Sequence, residues 1–127
     1  MRDYAQTVLR VGMALVILWF GISQVTAPAD WVDYLPSWMP TLGLSAKTHI
    51  LLNGSAEILL GVFILVGLFT RVASFLAAAH LLLITIAVGY SAVGVRDFGL
   101  FIGTLTIALH GADNFSVDAW WKKRANN

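Results

Sequence analysis

The sequence predicts an all-α, integral membrane four-helix bundle with both termini on the same side. Of the 127 residues, 58% are hydrophobic and only 12% are charged, whereas soluble domains contain roughly 45–50% apolar and 25% charged residues. Nearly every charge also lies outside four long apolar runs. Four spans of about 20 residues each would use most of the chain, so we expect one membrane domain over residues 1–127.

The composition also excludes several classes of function. A net charge of +1 is too small for nucleic-acid binding through phosphate neutralisation. The absence of cysteine excludes disulfides, thiolate metal sites and dithiol redox chemistry. No Walker loop, dinucleotide fingerprint or HExxH motif occurs. Any role in electron transfer would therefore need a bound cofactor or a partner subunit.

The four predicted spans follow one another along the chain, at about residues 8–28, 48–70, 72–95 and 97–113. A cleavable signal peptide is the competing interpretation of the first run, but Trp19, Phe20 and Gln24 make a poor cleavage region. The fourth run is the shortest, and it would place Asp97 and Asp113 at the two membrane interfaces.

The basic residues that flank the spans predict the orientation. With four spans, both termini share a side with six of the eight basic residues, and two basic residues remain on the other side. This bias predicts cytoplasmic termini and a multi-pass protein of the cell (inner) membrane. The six are Arg2, Arg10, Arg71, Lys122, Lys123 and Arg124, and the two are Lys47 and Arg96.

The long outer loop, residues 28–47, contains the three prolines of the chain and cannot form a continuous helix. It is also too apolar for an ordinary solvated loop, because it carries Trp31, Tyr34, Leu35, Trp38 and Met39. Two interpretations stay open. The loop is an aromatic anchor in the headgroup region, or it is a lid over an outward-facing pocket.

Glu57 is the only charged side chain in the second run. An unpaired carboxylate in a bilayer costs a few kcal/mol at least, so such a residue is a functional candidate with a partner to be found. Helical rise places Asn53 one turn from Glu57 and predicts an outer polar cluster. The cluster either holds the helices together or binds a proton. Its predicted members are Gln24, Asn53, Glu57, Arg96 and Asp97.

His80 and His110 are predicted to share a second layer in the cytoplasmic half, hydrogen-bonded between the third and fourth helices. Three roles stay open for them: axial ligands of one haem, contacts to a proton or a quinone head group, and packing histidines. Because no third ligand is evident, we expect no metal site. We also expect the purified protein to be colourless.

Three stretches resemble the DoxX family of small four-helix membrane proteins: WFGISQVTAPADW, NGSAEILLGVFILVGLFTRVAS and VRDFGLFIGTLTIALHGADNFSVDAWW. The most specific matches are Glu57 followed by Gly61, and the adjacent pair Arg96 and Asp97. The chain departs from the family pattern at Gln24, where the family often has a lysine that could pair with the acid. Arg96 is therefore the expected counter-ion of Glu57.

The resemblance implies a membrane partner of redox complexes, since the family is named after a subunit of a thiosulfate:quinone oxidoreductase. The leading hypothesis is an accessory subunit that binds a quinone-like or lipidic molecule or docks a redox partner protein. Two alternatives are a membrane subunit of a thiosulfate:quinone-type oxidoreductase and a structural membrane protein without a specific ligand. The sequence does not identify a cofactor, and a quinone is the candidate. Enzyme activity and homo-oligomer formation stay open.

Overall fold

The computed structural model describes residues 2–37, 42–89 and 91–127, and the regular secondary structure of these residues is helical. Four of the helices, α1 to α4, are long and apolar enough to cross a membrane. This confirms the predicted all-α fold with four membrane-spanning helices. The elements are α1 (Arg2–Thr26), a 3₁₀ helix (Pro28–Tyr34), α2 (Ala46–Val66), α3 (Thr70–Val88), α4 (Ala92–His110) and α5 (Val117–Ala125).

The bundle consists of two closely packed helix pairs, α1 with α2 and α3 with α4, which contact each other less extensively. Glycines allow the close approach of α1 and α2. A Cβ atom on Gly54 would lie 2.8 Å from the Cβ atom of Gln24, and one on Gly21 would lie 2.9 Å from the Gly54 carbonyl oxygen. Small residues at such crossings bring the helix backbones into contact.

One end of the bundle, here called the terminal end, contains the start of α1, the link between α2 and α3, and the region after α4. Gly67 ends α2 in the left-handed conformation, with φ of 74°. The carboxylate of Asp118 accepts hydrogen bonds from the backbone amides of Phe69 (2.8 Å) and Thr70 (2.7 Å). These bonds cap the start of α3 and hold α5 against the link. The opposite end, which contains the 3₁₀ helix, is called the loop end.

The boundary between the third and fourth spans differs from the predicted ranges 72–95 and 97–113. α3 already ends at Val88, because Gly89 follows with φ of 76°. α4 then begins at Ala92, where the Ser91 side chain accepts a hydrogen bond from the Gly94 amide. Hydropathy continues unbroken across this break, so it does not mark the helix end. Arg96 and Asp97 consequently lie in the second turn of α4.

A hydrophobic core fills the bundle between its middle and the terminal end. Leu81 and Ile17 belong to this core and also form part of the wall of a cavity on the loop-end side. Many large apolar side chains point outward, as expected for helices that face lipid. The buried members of the core are Ala14, Ile17, Ile64, Ala73, Ala77 and Leu81.

Candidate functional site

A cavity of about 270 Å³ lies in the loop-end half of the bundle. All four long helices and the 3₁₀ helix contribute to its wall. The wall is mostly apolar, and each of the four long helices also contributes at least one polar side chain. A cavity of this composition fits a small amphiphilic molecule, because apolar walls supply binding energy and a few polar groups fix the orientation.

Glu57 is held at the cavity by two amide side chains. The Gln24 Nε2 donates to Glu57 Oε2 at 2.9 Å. The Asn53 Nδ2 donates both to Glu57 Oε1 at 3.2 Å and to Gln24 Oε1 at 2.6 Å. These three side chains form a closed triangle between α1 and α2. Both carboxylate oxygens accept hydrogen bonds from these amides.

His80 reaches the same carboxylate from α3. Its Nε2 lies 3.5 Å from Glu57 Oε1, and the two side chains are 25% and 7% exposed. The contact does not meet hydrogen-bond geometry, so the buried Nε2 has no hydrogen-bond partner among the described residues. Buried polar atoms of this kind are rare and call for an explanation, such as a ligand. Among the described residues, the Oγ of Ser74 and the Nε2 of His80 are buried without a hydrogen-bond partner, and of these two residues His80 lines the cavity.

Arg96 pairs with its neighbour Asp97 at the loop-end side of the cavity. Its Nε and one terminal nitrogen donate to Asp97 Oδ1 at 3.1 and 2.9 Å. Its guanidinium also stacks on the ring of Phe20, 4.2 Å from the centroid. The cationic charge of Arg96 is thus neutralised by a carboxylate and is fixed by an aromatic face.

Aromatic residues of the 3₁₀ helix continue this stack over the cavity. Trp31 packs edge-on against Phe20 with ring centroids 5.8 Å apart, and Tyr34 lies 5.4 Å from Trp31. All three rings line the cavity. This placement fits the second interpretation of the loop, a lid over a pocket. Trp38 and Met39, which entered the same interpretation, lie outside the described residues.

The cavity reaches the lipid-facing surface along α3. Leu83 is part of its wall, and 67% of this residue is exposed. In the bilayer, the surface around Leu83 is covered by acyl chains. A molecule with an apolar tail could thus occupy the cavity while its tail extends into the membrane.

The charges on the cavity wall are one guanidinium, from Arg96, and two carboxylates, from Glu57 and Asp97. The carboxylates on the wall therefore outnumber the guanidinium. A neutral or cationic molecule is therefore favoured over an anion.

The structure brings together all five members of the predicted outer cluster, which line the cavity. The predicted counter-ion of Glu57 is wrong, however. Arg96 binds Asp97, since the two adjacent side chains at the start of α4 meet locally, while the deeper Glu57 contacts amides and His80. Gln24 thus meets Glu57 as a hydrogen-bond donor.

The predicted second layer of His80 and His110 is also wrong. His110 is exposed at the last residue of α4, and its Nδ1 lies 3.3 Å from the carbonyl oxygen of Gly111. Gly111 lies against Arg71 at the start of α3, which places His80 about 14 Å away along the bundle axis. The two histidines cannot ligate one haem or bridge α3 and α4. The depth estimate failed because it counted from Val95 instead of the true helix end at Val88.

His49 is a cavity residue that the sequence analysis missed. A signal for it was present, because His49, Asn53 and Glu57 recur at intervals of four residues and so share one face of α2. His49 was overlooked because it lies in the first turn of the helix, where a polar residue is unremarkable. Within the described residues, no group of three or more His, Asp or Glu side chains is arranged to hold a metal ion.

A second buried polar cluster lies at the terminal end, away from the cavity. The Arg10 Nε donates to Asp113 Oδ2 at 2.5 Å, and the two side chains are 3% and 4% exposed. Arg10 also donates to the carbonyl oxygens of Ile64 and Leu65. Burial raises the pKa of Asp113, but hydrogen bonds from Arg10, the Phe115 amide and Thr7 outweigh burial and lower this pKa below its ordinary value. This cluster clamps three segments together and has a structural role.

A protein-family model described as DoxX matches residues 5–90 of the chain. The matched part contains Gln24, Asn53, Glu57 and His80, while Arg96 lies beyond it. No curated protein matches the chain, and no solved structure matches it.

Proposed function

The chain belongs to the DoxX family of membrane proteins, and on this premise we propose that it is an accessory membrane subunit that binds a quinone-like molecule. The observation that carries the proposal is the buried Nε2 of His80 at the cavity, which lies beside the Glu57 carboxylate and has no hydrogen-bond partner among the described residues. A quinone carbonyl would accept a hydrogen bond from this nitrogen, and a hydroquinone hydroxyl would donate to Glu57. The bound molecule would supply two-electron redox chemistry to a partner protein that docks on this subunit.

The size of the cavity supports a ring-sized head group. Its volume of about 270 Å³ lies just below the roughly 300–1,000 Å³ of pockets that enclose whole drug-sized ligands. A single substituted ring would occupy such a space. The isoprenoid tail would leave past Leu83 and lie among the lipid chains.

The charge of the cavity wall supports this proposal over a thiosulfate:quinone-type oxidoreductase subunit that binds the sulfur substrate itself. Thiosulfate is a dianion, and the only guanidinium at the cavity, among the described residues, is already paired with Asp97. Bringing a dianion next to two carboxylates would be repulsive. A quinone is neutral and meets no such cost. We therefore place any oxidation of a sulfur compound on a partner protein.

Binding can be measured with a short-chain ubiquinone added to the purified protein in lipid nanodiscs. Quinones quench tryptophan fluorescence, and Trp31 lies in the cavity wall, so saturable quenching is expected. His80→Gln should weaken binding by about tenfold, the equivalent of one hydrogen bond. His110→Gln is the matched control, because His110 is exposed away from the cavity, and it should bind like the wild type.

Two outcomes would contradict the proposal. Quenching that does not saturate would show only partition of the quinone into the lipid. Equal weakening by His80→Gln and His110→Gln would show that the cavity is not the site. The third hypothesis, a structural protein without a ligand, predicts the first of these outcomes.

A further inference from the structure

Glu57 and His80 form a pair of titratable groups that can share one proton. The imidazole Nε2 faces the carboxylate oxygen at 3.5 Å. A proton taken up by the pair converts carboxylate and neutral imidazole into a carboxylate–imidazolium ion pair, and its release restores the neutral ring. The proton comes from water and returns to water, and no electron is transferred.

The cavity connects this pair to the loop end. The pair lies near mid-bundle, since Glu57 is roughly 16 Å along α2 from its first residue. From there the cavity extends past Asn53 and His49 to Tyr34, Leu35 and Pro36 in the loop. Asn53 and His49 follow Glu57 at steps of one helical turn on the same face of α2. Polar side chains thus line the route from the pair to the loop-end surface.

The opposite direction is closed by apolar packing. Ile64, about 10 Å beyond Glu57 along α2, is 0% exposed, as is Ala14, and Ala77 is 3% exposed. Ser74 and Thr104 also lie in this region with fully buried side chains. The Thr104 hydroxyl donates to the carbonyl oxygen of Leu100, and the Ser74 hydroxyl has no hydrogen-bond partner among the described residues. Close packing of this kind leaves no room for a chain of water molecules.

The other titratable groups on the cavity wall lie toward the loop end. They are Tyr34 of the 3₁₀ helix, His49 of α2, and Arg96 and Asp97 of α4. α1 contributes Gln24, which does not titrate. Within the described residues, the nearest ion pair in the other direction is Arg10 with Asp113, beyond the apolar core.

We infer that Glu57 and His80 form a proton-exchange site that water reaches from the loop end and not from the terminal end. The inference goes beyond the proposed quinone binding and does not depend on it, because it rests on the cavity and the apolar core. If a quinone is bound, its protons are exchanged with the loop-end side of the membrane.

Single-cysteine labelling tests the access, because the chain has no native cysteine. A membrane-impermeant methanethiosulfonate reagent is applied to right-side-out and inverted vesicles. Ser37→Cys marks the loop-end side and Asn126→Cys marks the terminal side. The test variants are Ala87→Cys, in the cavity wall with the pair intact, and His80→Cys, at the pair itself. Ala77→Cys, three residues from His80 on α3 and buried in the core, is the matched control.

Ala87→Cys and His80→Cys should react from the side that labels Ser37→Cys at least about tenfold faster than from the other side, because only a water-exposed thiolate is attacked. Ala77→Cys should react from neither side. Labelling of His80→Cys from the Asn126→Cys side, or of neither test variant from any side, overturns the inference.

Infrared spectroscopy of the purified protein, without added quinone, tests proton binding. The wild type should show a carboxylate stretching band that shifts with pH, as the neighbouring imidazole gains or loses its proton, and that is missing in Glu57→Gln. Absence of this difference overturns the proton-exchange site. Because no quinone takes part, a failure here is distinct from a failure of quinone binding.

Discussion

Glu57 is the acceptor for two amide donors and lies 3.5 Å from the imidazole Nε2 of His80, so its removal affects three side chains together. Glu57→Leu should lower the free energy of unfolding by about 1–3 kcal/mol, because Gln24 and Asn53 lose a buried acceptor. Thermal unfolding in detergent, followed by circular dichroism, measures the change. Glu57→Gln retains an acceptor oxygen and should lose less. If both variants unfold at the same temperature as the wild type, the triangle of side chains does not contribute to stability.

The ionisation of Asp113 makes the stability of the folded protein depend on pH. Its pKa is lowered in the folded protein because the hydrogen bonds from Arg10, Phe115 and Thr7 outweigh its burial. A lowered folded pKa means that the stabilisation is complete above the unfolded pKa of about 3.9 and is lost as the pH falls through the lower folded value. We therefore expect the wild type to lose stability below about pH 4.

Asp113→Asn is the test of this pH dependence. It leaves Arg10 buried without its anionic partner and should cost about 3 kcal/mol or more at neutral pH. Its unfolding temperature should then fall less steeply on acidification than that of the wild type. Parallel acid profiles for the two proteins would show that Asp113 is not the group responsible.

The residues at the cavity show which part of a site the sequence can predict. Asn53 and Glu57 were predictable because one helix fixes their spacing, and Gln24 because its depth followed from its position in α1. The Arg10–Asp113 pair was not predicted, since 103 positions separate its members. The only signal for this pair was that Arg10 lies at the terminal end of the first span and Asp113 at the terminal end of the fourth.

At the scale of elements, the crossing of α1 and α2 depends on Gly54. A methyl group there would approach the Gln24 Cβ to 2.8 Å and the Gly21 carbonyl oxygen to 2.9 Å. Gly54→Ala should therefore separate the two helices and destabilise the protein by about 1–3 kcal/mol. Thermal unfolding measures this loss. Gly54→Ala should also weaken quinone binding, because it displaces Gln24 from Glu57.

Gly99→Ala is the matched control for this crossing. Gly99 is also a glycine within a membrane-spanning helix, but a Cβ atom added there would meet no atom of the described residues within 4 Å. Alanine favours the helix over glycine by up to about 1 kcal/mol, so this variant should be as stable as the wild type or slightly more stable. Equal destabilisation by both substitutions would mean that the crossing is not set by Gly54.

Hydropathy predicted the number and order of the long helices, because each needs an apolar run of membrane-spanning length. It did not predict where α3 ends, since Val88 and Val95 are equally apolar and the break depends on the backbone conformation of Gly89. That error of seven residues moved His80 into the wrong layer. Helix ends within continuous apolar sequence are set by local backbone geometry, and depth estimates inherit the error.

For the whole molecule, the two ends of the bundle differ in their chemistry. The loop-end half contains the cavity and the Glu57–His80 pair, while the other half is closed by the apolar core and the Arg10–Asp113 clamp. The direction in which the protein crosses the membrane therefore decides which compartment exchanges water with the site. Six of the eight basic residues belong to the terminal end, which favours a cytoplasmic location for it.

The charge bias predicts the outcome of labelling in intact cells. Ser37→Cys should react with an impermeant thiol reagent from outside, and Asn126→Cys should react only after lysis, because positively charged flanks are retained in the cytoplasm. Replacing Lys122, Lys123 and Arg124 by glutamine reduces the bias from six against two to three against two. This triple variant should show mixed labelling if the charges set the orientation. Reaction of Asn126→Cys in intact cells would reverse the orientation and would place the proton-exchange site in contact with the cytoplasm.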